Sequence, residues 1–461
     1  MPKYETAKKL MNYLIKKIII ITVRCGITWP LVYIYSKVIK EVTPLDNLNR
    51  VERTNENKKI TLLALNPERF RHDLEILASE FCVLSLPFDW QCKILRLFLA
   101  GKITKKAIFS THHDVDKDES IVKMQEGLRL FLRIFLKVLY RRMSIDCVLG
   151  SCVYYWQDYD WGLVSKVLGV PYIVLHRENL VSASPKDREE FSSFLTTDCK
   201  EFRGSYIVDH NPIIKDLMVK TGYVSSDKIS SLGCLRMDNY VCKVKKSKMK
   251  INKRKKVVLF SFTYTVGFGR QKSFIDHEIG FTNMFQHVHV SFAKLANQMK
   301  DVDFVIKLKW GGNWISAIEY HLKKNDIDHQ SIENLEIIDN ADAQKLILES
   351  DVVCGFNSTV LLEAAITGIK VVVPCFDEAL NPEYLNYIRF KEDFDALDVA
   401  HSIEEFEKLI IDGLKNPKRA DEGLLRKRYA LFEKYISSMK GGTLEKYVNV
   451  ISQVIKERQC V

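Results

Sequence analysis

Residues 351–374 read DVVCGFNSTVLLEAAITGIKVVVP. Val352, Val353 and Cys354 form an apolar run too short for a helix, and Gly355 ends it. Phe356, Asn357, Ser358 and Thr359 follow, the last three being residue types that favour turns and helix N-caps. Residues 360–367 carry apolar side chains at helical spacing, Gly368 stops the helix, and residues 371–373 form a second buried run closed by Pro374. Strand, turn, helix and strand make one parallel β-α-β unit. Its strands are apolar throughout because helices cover both faces of such a sheet. The turn offers N–H groups, hydroxyls and the positive end of a helix, which together suit an anion such as a pyrophosphate. Glu363 stands about one turn further on, where it could accept hydrogen bonds from a ribose. A plain helix cap gives the same pattern.

The rhythm extends outward on both sides. Strands are expected at 257–260, 303–307 and 335–338, with helices at 290–299, 343–349, 403–414 and 422–457. Toward the N-terminus, strands are expected at 60–65, 81–86, 107–110, 145–149, 171–175, 206–208 and 229–232, and helices at 118–142, 161–168 and 212–220. Residues 241–256 hold nine Lys/Arg and no acid, and interrupt the pattern as a linker. The fold class is α/β, with two Rossmann-like doubly wound domains facing a cleft at the carboxyl ends of their strands. The expected divisions are 1–59, 60–240, 241–256, 257–420 and a C-terminal helical stretch, 421–461.

The loop after the first strand of the second half reads SFTYTVGFGR over residues 261–270. Thr263 sits in it, Gly267 and Gly269 allow close backbone approach to a ligand, and Arg270 can grip a phosphate with two hydrogen bonds. Lys307 and Lys309 lie at the end of the next strand. A flexible surface loop and a solvated strand end explain these residues equally well.

The chain has 461 residues, 47% hydrophobic and 28% charged, as globular domains with large cores have. Its net charge of +11 is concentrated: residues 1–60 hold twelve Lys/Arg against five Asp/Glu. With no nucleic-acid motif present, the basic clusters point to an anionic membrane surface or phosphate-bearing substrates. Eleven cysteines without a C-x-x-C pair read as reduced thiols of a cytosolic protein, with no structural zinc site. Three D-x-D patterns (114–116, 158–160, 301–303) and His112-His113-Asp114 lack the companions of a metal site. No metal or cofactor is expected. The stretch 10–38 is apolar and aromatic, interrupted by Lys16, Lys17, Arg24 and Pro30. It reads as a helix lying in the membrane interface, a spanning helix, or a helix packed on the protein, and Trp29, Tyr33 and Tyr35 with the flanking lysines favour the interface.

The 351–374 segment resembles the nucleotide-binding signature of the GT-B glycosyltransferases. These include surface- and capsular-polysaccharide transferases, and their superfamily includes the CDP-glycerol glycerophosphotransferases and UDP-GlcNAc 2-epimerases. The matching residues are Gly355, Asn357, Ser358, Thr359, Glu363, Ala364, Gly368 and Pro374. Residues 228–238, KISSLGCLRMD, resemble the end of the N-terminal domain in those families. FVIKLK at 304–309 resembles a strand that in relatives ends in Lys-x-His-Pro, where this chain has Lys309-Trp310.

The resemblance implies a nucleotide-sugar substrate in the second domain and a carbohydrate or lipid-linked acceptor at the first. It implies a glycosyltransferase of cell-surface polysaccharide or glycolipid, at the inner face of the cell membrane. A polyol-phosphate transferase, a 2-epimerase and a non-catalytic scaffold subunit are the alternatives. The acceptor domain is expected to supply a base from His176 or Glu178, just past the strand at 171–175; positioning of substrate is the other reading of both. Gly355 stands eight residues before Glu363, so the paired glutamates of many retaining relatives are absent and the stereochemistry stays open.

Overall fold

The computed structural model describes residues 27–45, 60–99, 119–246, 254–267, 280–309, 313–416 and 420–459, with Leu14, Lys17, Ile21 and Cys25. The expected strand at 107–110, the residues Gly269 and Arg270, His112-His113-Asp114 and most of 10–26 lie outside them. The chain forms two compact units. One comprises Met1–Glu178, Ser192–Arg236 and Gly442–Val461; the other comprises Asn179–Phe191 and Met237–Gly441.

The first unit holds a seven-stranded sheet among the described residues. Its strands are β1 (Lys40–Glu41), β2 (Thr61–Leu65), β3 (Cys82–Leu86), β4 (Cys147–Gly150), β5 (Tyr172–Leu175), β6 (Tyr206–Asp209) and β7 (Ile229–Ser231). Their order is β1-β3-β2-β4-β5-β6-β7. All neighbours are parallel except β1, which runs antiparallel to β3. β2, β4 and β5 are buried along their whole length, as strands covered on both faces must be. β1 has no sequence signature, because two exposed residues leave no periodicity to detect.

The C-terminal stretch departs from expectation. One helix was expected over 422–457; two form, Glu422–Tyr435 and Thr443–Gln459. The first ends at Tyr435, and Gly441 and Gly442, at φ values of 76° and 79° that suit glycine, turn the chain into the second. The last helix returns to the first unit, where Tyr447, Ile451, Val454 and Ile455 join a core with Leu62, Leu74, Cys147 and Ile173.

Helix Trp29–Val38 packs on the first unit through Leu31, Val32 and Tyr35. The Tyr35 hydroxyl donates to the Trp90 carbonyl at 2.8 Å, and its ring meets Trp90 and Phe135 edge-on. Among the described residues no helix is long and apolar enough to cross a membrane.

Asp158 and Asp160 are fully buried and structurally committed, which removes their D-x-D pattern from consideration as a metal pair. Gln91 Nε2 donates to Asp158 Oδ1 at 2.7 Å, and Arg129 pairs with Asp160 at 2.7 Å. Burial pushes the Asp158 carboxyl up to about 7. The folded state therefore holds this proton more tightly than the unfolded chain. Stability from this group is complete below its unfolded pKa of about 4 and is lost as pH rises through about 7. Asp158→Asn is expected to melt higher than the wild type at mildly alkaline pH, with the gap closing toward acid. A pH series of melting curves checks this, and a gap independent of pH would remove charge burial as its cause.

Among the described residues the second unit holds a six-stranded sheet that is parallel throughout. Its strands are β8 (Lys255–Phe260), β9 (Val302–Lys307), β10 (Leu335–Ile338), β11 (Val352–Gly355), β12 (Lys370–Pro374) and β13 (Asp398–Ala400), in the order β10-β9-β8-β11-β12-β13. The chain builds outward from β8 to β10, then returns to start the other half at β11. The strand order thus reverses between β8 and β11, and ligands of doubly wound sheets bind outside the carboxyl ends at such a point.

Helix Thr282–Gln298 begins eight residues earlier than expected. Its first turn is capped from far along the chain: the Glu378 carboxylate accepts from Asn283 N at 2.7 Å and Met284 N at 2.9 Å. Such a cap leaves no local sequence signature.

Candidate functional site

Gly355, the end of β11, lies opposite Phe260, the end of β8, and Phe260 lies opposite Lys307, the end of β9. Parallel register therefore brings the loop starting at Ser261, the turn 356–359 and Lys307 to one edge of the sheet. These are three of the regions singled out in the sequence.

Gly267 has φ 93°, which an L side chain rarely adopts. A Cβ there would run into Asn357 Nδ2 and come within 2.7 Å of the Tyr387 carbonyl oxygen. Glycine at 267 is thus needed for the loop to lie against the turn.

Asn357 differs most from its expected role as a cap. It sits at φ 50°, a left-handed conformation Asn tolerates, and its side chain is buried. Nδ2 donates to Val266 O at 3.1 Å and Tyr387 O at 3.3 Å, while Oδ1 accepts from Arg389 N at 2.8 Å. The side chain joins three loops through these bonds. Arg389 continues the network to Asp187, Nε to Oδ2 at 3.0 Å. Sequence reasoning missed Arg389 and Asp187; no motif links positions 187, 357 and 389.

Ser358 and Thr359 are half-buried at the start of helix Val360–Ala365, and the Thr359 side chain makes no capping bond. The expected side-chain cap is absent, and with six residues the helix contributes a weak dipole. The hydroxyls of Ser358 and Thr359 are therefore not consumed in capping.

Glu363 is buried; Gln344 Nε2 donates to its Oε2 at 3.3 Å, and its carbonyl accepts from the Tyr240 hydroxyl at 2.8 Å. Lys307 Nζ donates to the carbonyls of Leu308 at 2.6 Å and Asp339 at 3.0 Å, and burial lowers its pKa. In this geometry its ammonium closes strand ends. Lys309 is exposed, and Thr263 is buried, its carbonyl accepting from Val266 N at 3.1 Å.

Behind the edge, Phe262, Phe281, Phe285 and Phe356 interlock ring to ring. His289 is buried among them and burial lowers its pKa to about 4, so it is neutral at pH 7. Its Nδ1 lies 2.6 Å from Phe285 O and can only donate there, so Nε2 accepts from the Ser261 hydroxyl at 2.9 Å. This bond anchors the first residue of the loop.

In the first unit, His176 and Glu178 follow β5. His176 is fully buried, its Nδ1 3.5 Å from Val153 N, and burial lowers its pKa to about 4. A ring closed off from solvent does not suit a base that must meet an acceptor hydroxyl. Glu178 is half-buried, and its Oε1 accepts from the Tyr155 hydroxyl at 2.7 Å. Arg177 points elsewhere, pairing with Asp73 at 3.4 Å, which separates its charge from Glu178.

No protein-family model and no curated protein matches this chain. Solved structures do. A candidate UDP-N-acetylglucosamine 2-epimerase from Listeria monocytogenes is similar at TM-score 0.50 and 14% identity, over 87% of this chain and 98% of that one. The UDP-GlcNAc 2-epimerase of Neisseria meningitidis, bound to UDP-GlcNAc, is similar at 0.46 and 14%, over 86% and 100%. A glycosyltransferase from Rickettsia africae is similar at 0.45 and 11%, over 87% and 99%. At these identities the first likeness speaks for the fold alone, a GT-B-like one with two α/β units whose sheets are parallel but for β1.

Proposed function

We propose that this protein is a glycosyltransferase that takes a sugar from a nucleotide-activated donor, with the donor phosphates held at Ser358 and Thr359. The reading rests on one observation: the turn 356–359 lies at the carboxyl ends of β8 and β11, where the strand order reverses. Asn357 and Gly267 shape this site instead of touching the ligand. Glu363 is assigned to the ribose and Glu178 to the acceptor side. A lipid-linked acceptor at the cytoplasmic face of the membrane completes the proposal, motivated by the apolar, Lys/Arg-bearing stretch 10–38.

A thermal-shift panel of UDP, GDP, CMP, CDP and their sugars tests it, since a ligand that binds only the folded state raises Tm. One nucleotide class is expected to stabilise the protein. Ser358→Ala with Thr359→Ala is expected to weaken that binding by about a hundredfold or more, because hydrogen bonds to charged groups contribute about 1.5–3 kcal/mol each. Unchanged affinity in the double variant would sink the phosphate assignment. Interconversion of the nucleotide sugar without any acceptor would assign epimerase chemistry instead.

A further inference from the structure

Helix Glu119–Met143 buries Leu128, Leu132, Phe135, Leu136 and Leu139 in the first unit. Its outer face is not polar throughout. Leu130, Ile134 and Val138, spaced four apart on one stripe, are 63%, 42% and 38% exposed. Helix Trp29–Val38 packs beside it and carries a second stripe at the same spacing, with Trp29 70% and Tyr33 50% exposed, then Lys37. The stripes meet where the Arg142 guanidinium lies 5.7 Å from the Tyr33 ring.

Around Ile134 and Val138 the charges have one sign, the exposed Glu126 lying one turn before Leu130 at the start of the stripe. From residue 130 to 142 the long helix carries Arg133, Lys137, Arg141 and Arg142, all exposed, and no acid. Single exposed leucines are ordinary on protein surfaces, but a two-helix apolar stripe with a basic border marks an interaction site.

We propose that the outer faces of these two helices form one docking surface for an anionic lipid bilayer. Attachment through residues 10–38 already belongs to the proposed function; the surface on helix Glu119–Met143 goes beyond it and does not depend on the nucleotide reading. Aliphatic side chains enter the headgroup boundary, Trp29 and Tyr33 sit at its level, and the long cationic side chains reach the lipid phosphates. Lipid is favoured over a second copy of the chain, because self-association through this face would oppose like charges.

Flotation of the full-length protein with phosphatidylcholine vesicles, with and without phosphatidylglycerol, tests the proposal. The wild type is expected to bind the anionic vesicles preferentially, and added salt to weaken the binding. Reversing Arg133, Lys137 and Arg141 to Glu is expected to lower that partition by about a hundredfold, and Leu130→Ser with Ile134→Ser and Val138→Ser by about tenfold. All six positions are exposed, so both variants are expected to keep the wild-type Tm; if the serine set does not fold, the charge set alone decides. Wild-type binding by the charge variant, or equal binding to neutral and anionic vesicles, would overturn the proposal. So would a dimer in lipid-free buffer that the serine variant dissociates, which would assign the face to a second copy.

Discussion

Glu178→Gln is expected to lower turnover by about 10²–10⁴-fold, the usual effect of losing a general base, while nucleotide binding stays at the wild-type level. The proposed transferase must remove a proton from an acceptor hydroxyl. Of the two candidates after β5, the structure leaves Glu178 partly open and closes His176 into the unit. Tyr155 positions the carboxylate: burial and the neighbouring Glu178 raise the tyrosine pKa, so its hydroxyl stays protonated and donates. Tyr155→Phe, which keeps the ring and removes the donor, is therefore expected to lower kcat less than Glu178→Gln does. His176→Ala is expected to act mainly on stability, through a cavity in the unit. Single-turnover kinetics with the nucleotide sugar found in the thermal-shift panel would separate these outcomes. A near-normal rate for Glu178→Gln would rule out its role as the base and favour a retaining mechanism.

The second large effect is on folding. Arg428→Ala is expected to destabilise the second unit by about 3–5 kcal/mol, the range seen when one partner of a buried ion pair is removed. Arg428 is among the largest fully buried side chains. Its Nε donates to Ala396 O at 3.0 Å, Nη1 to Ile369 O at 2.6 Å and Nη2 to Asp398 Oδ2 at 2.9 Å. Removing it orphans two carbonyls and leaves Asp398 with Lys370, 3.1 Å from its other oxygen, and the Val371 N–H at 3.1 Å. The three bonds tie helix Glu422–Tyr435 to β13 itself and to the residues just before β12 and β13. Lysine cannot reproduce this fork, so Arg428→Lys is expected to recover only part of the loss. Hydrogen exchange at β12 and β13 supplies a local readout beside the denaturation midpoint. A loss below about 1 kcal/mol would show that the pair's desolvation cancels its contacts.

Much of the fold is determined locally and is legible in the chain. Apolar, β-branched runs favour strands and helical period with stops favours helices, so the strand at 335–338, only partly buried at the sheet edge, and the helix at 212–220 form as expected. The β-α-β unit around Gly355 and its place in a parallel sheet follow from the same patterns. Tertiary structure alone decides what these elements touch. Asn357 occupies a cap position by sequence, yet the nearby loop and a carbonyl thirty residues downstream take its side chain. His176 and Glu178 are two residues apart and look equivalent; the environment buries one and opens the other. The last helix has an ordinary amphipathic pattern, which cannot say that it belongs to the first unit. Local periodicity and turn chemistry set which elements form, because they act within a few residues. Partners, burial and charge state depend on register and strand order, which bring together residues far apart in the chain.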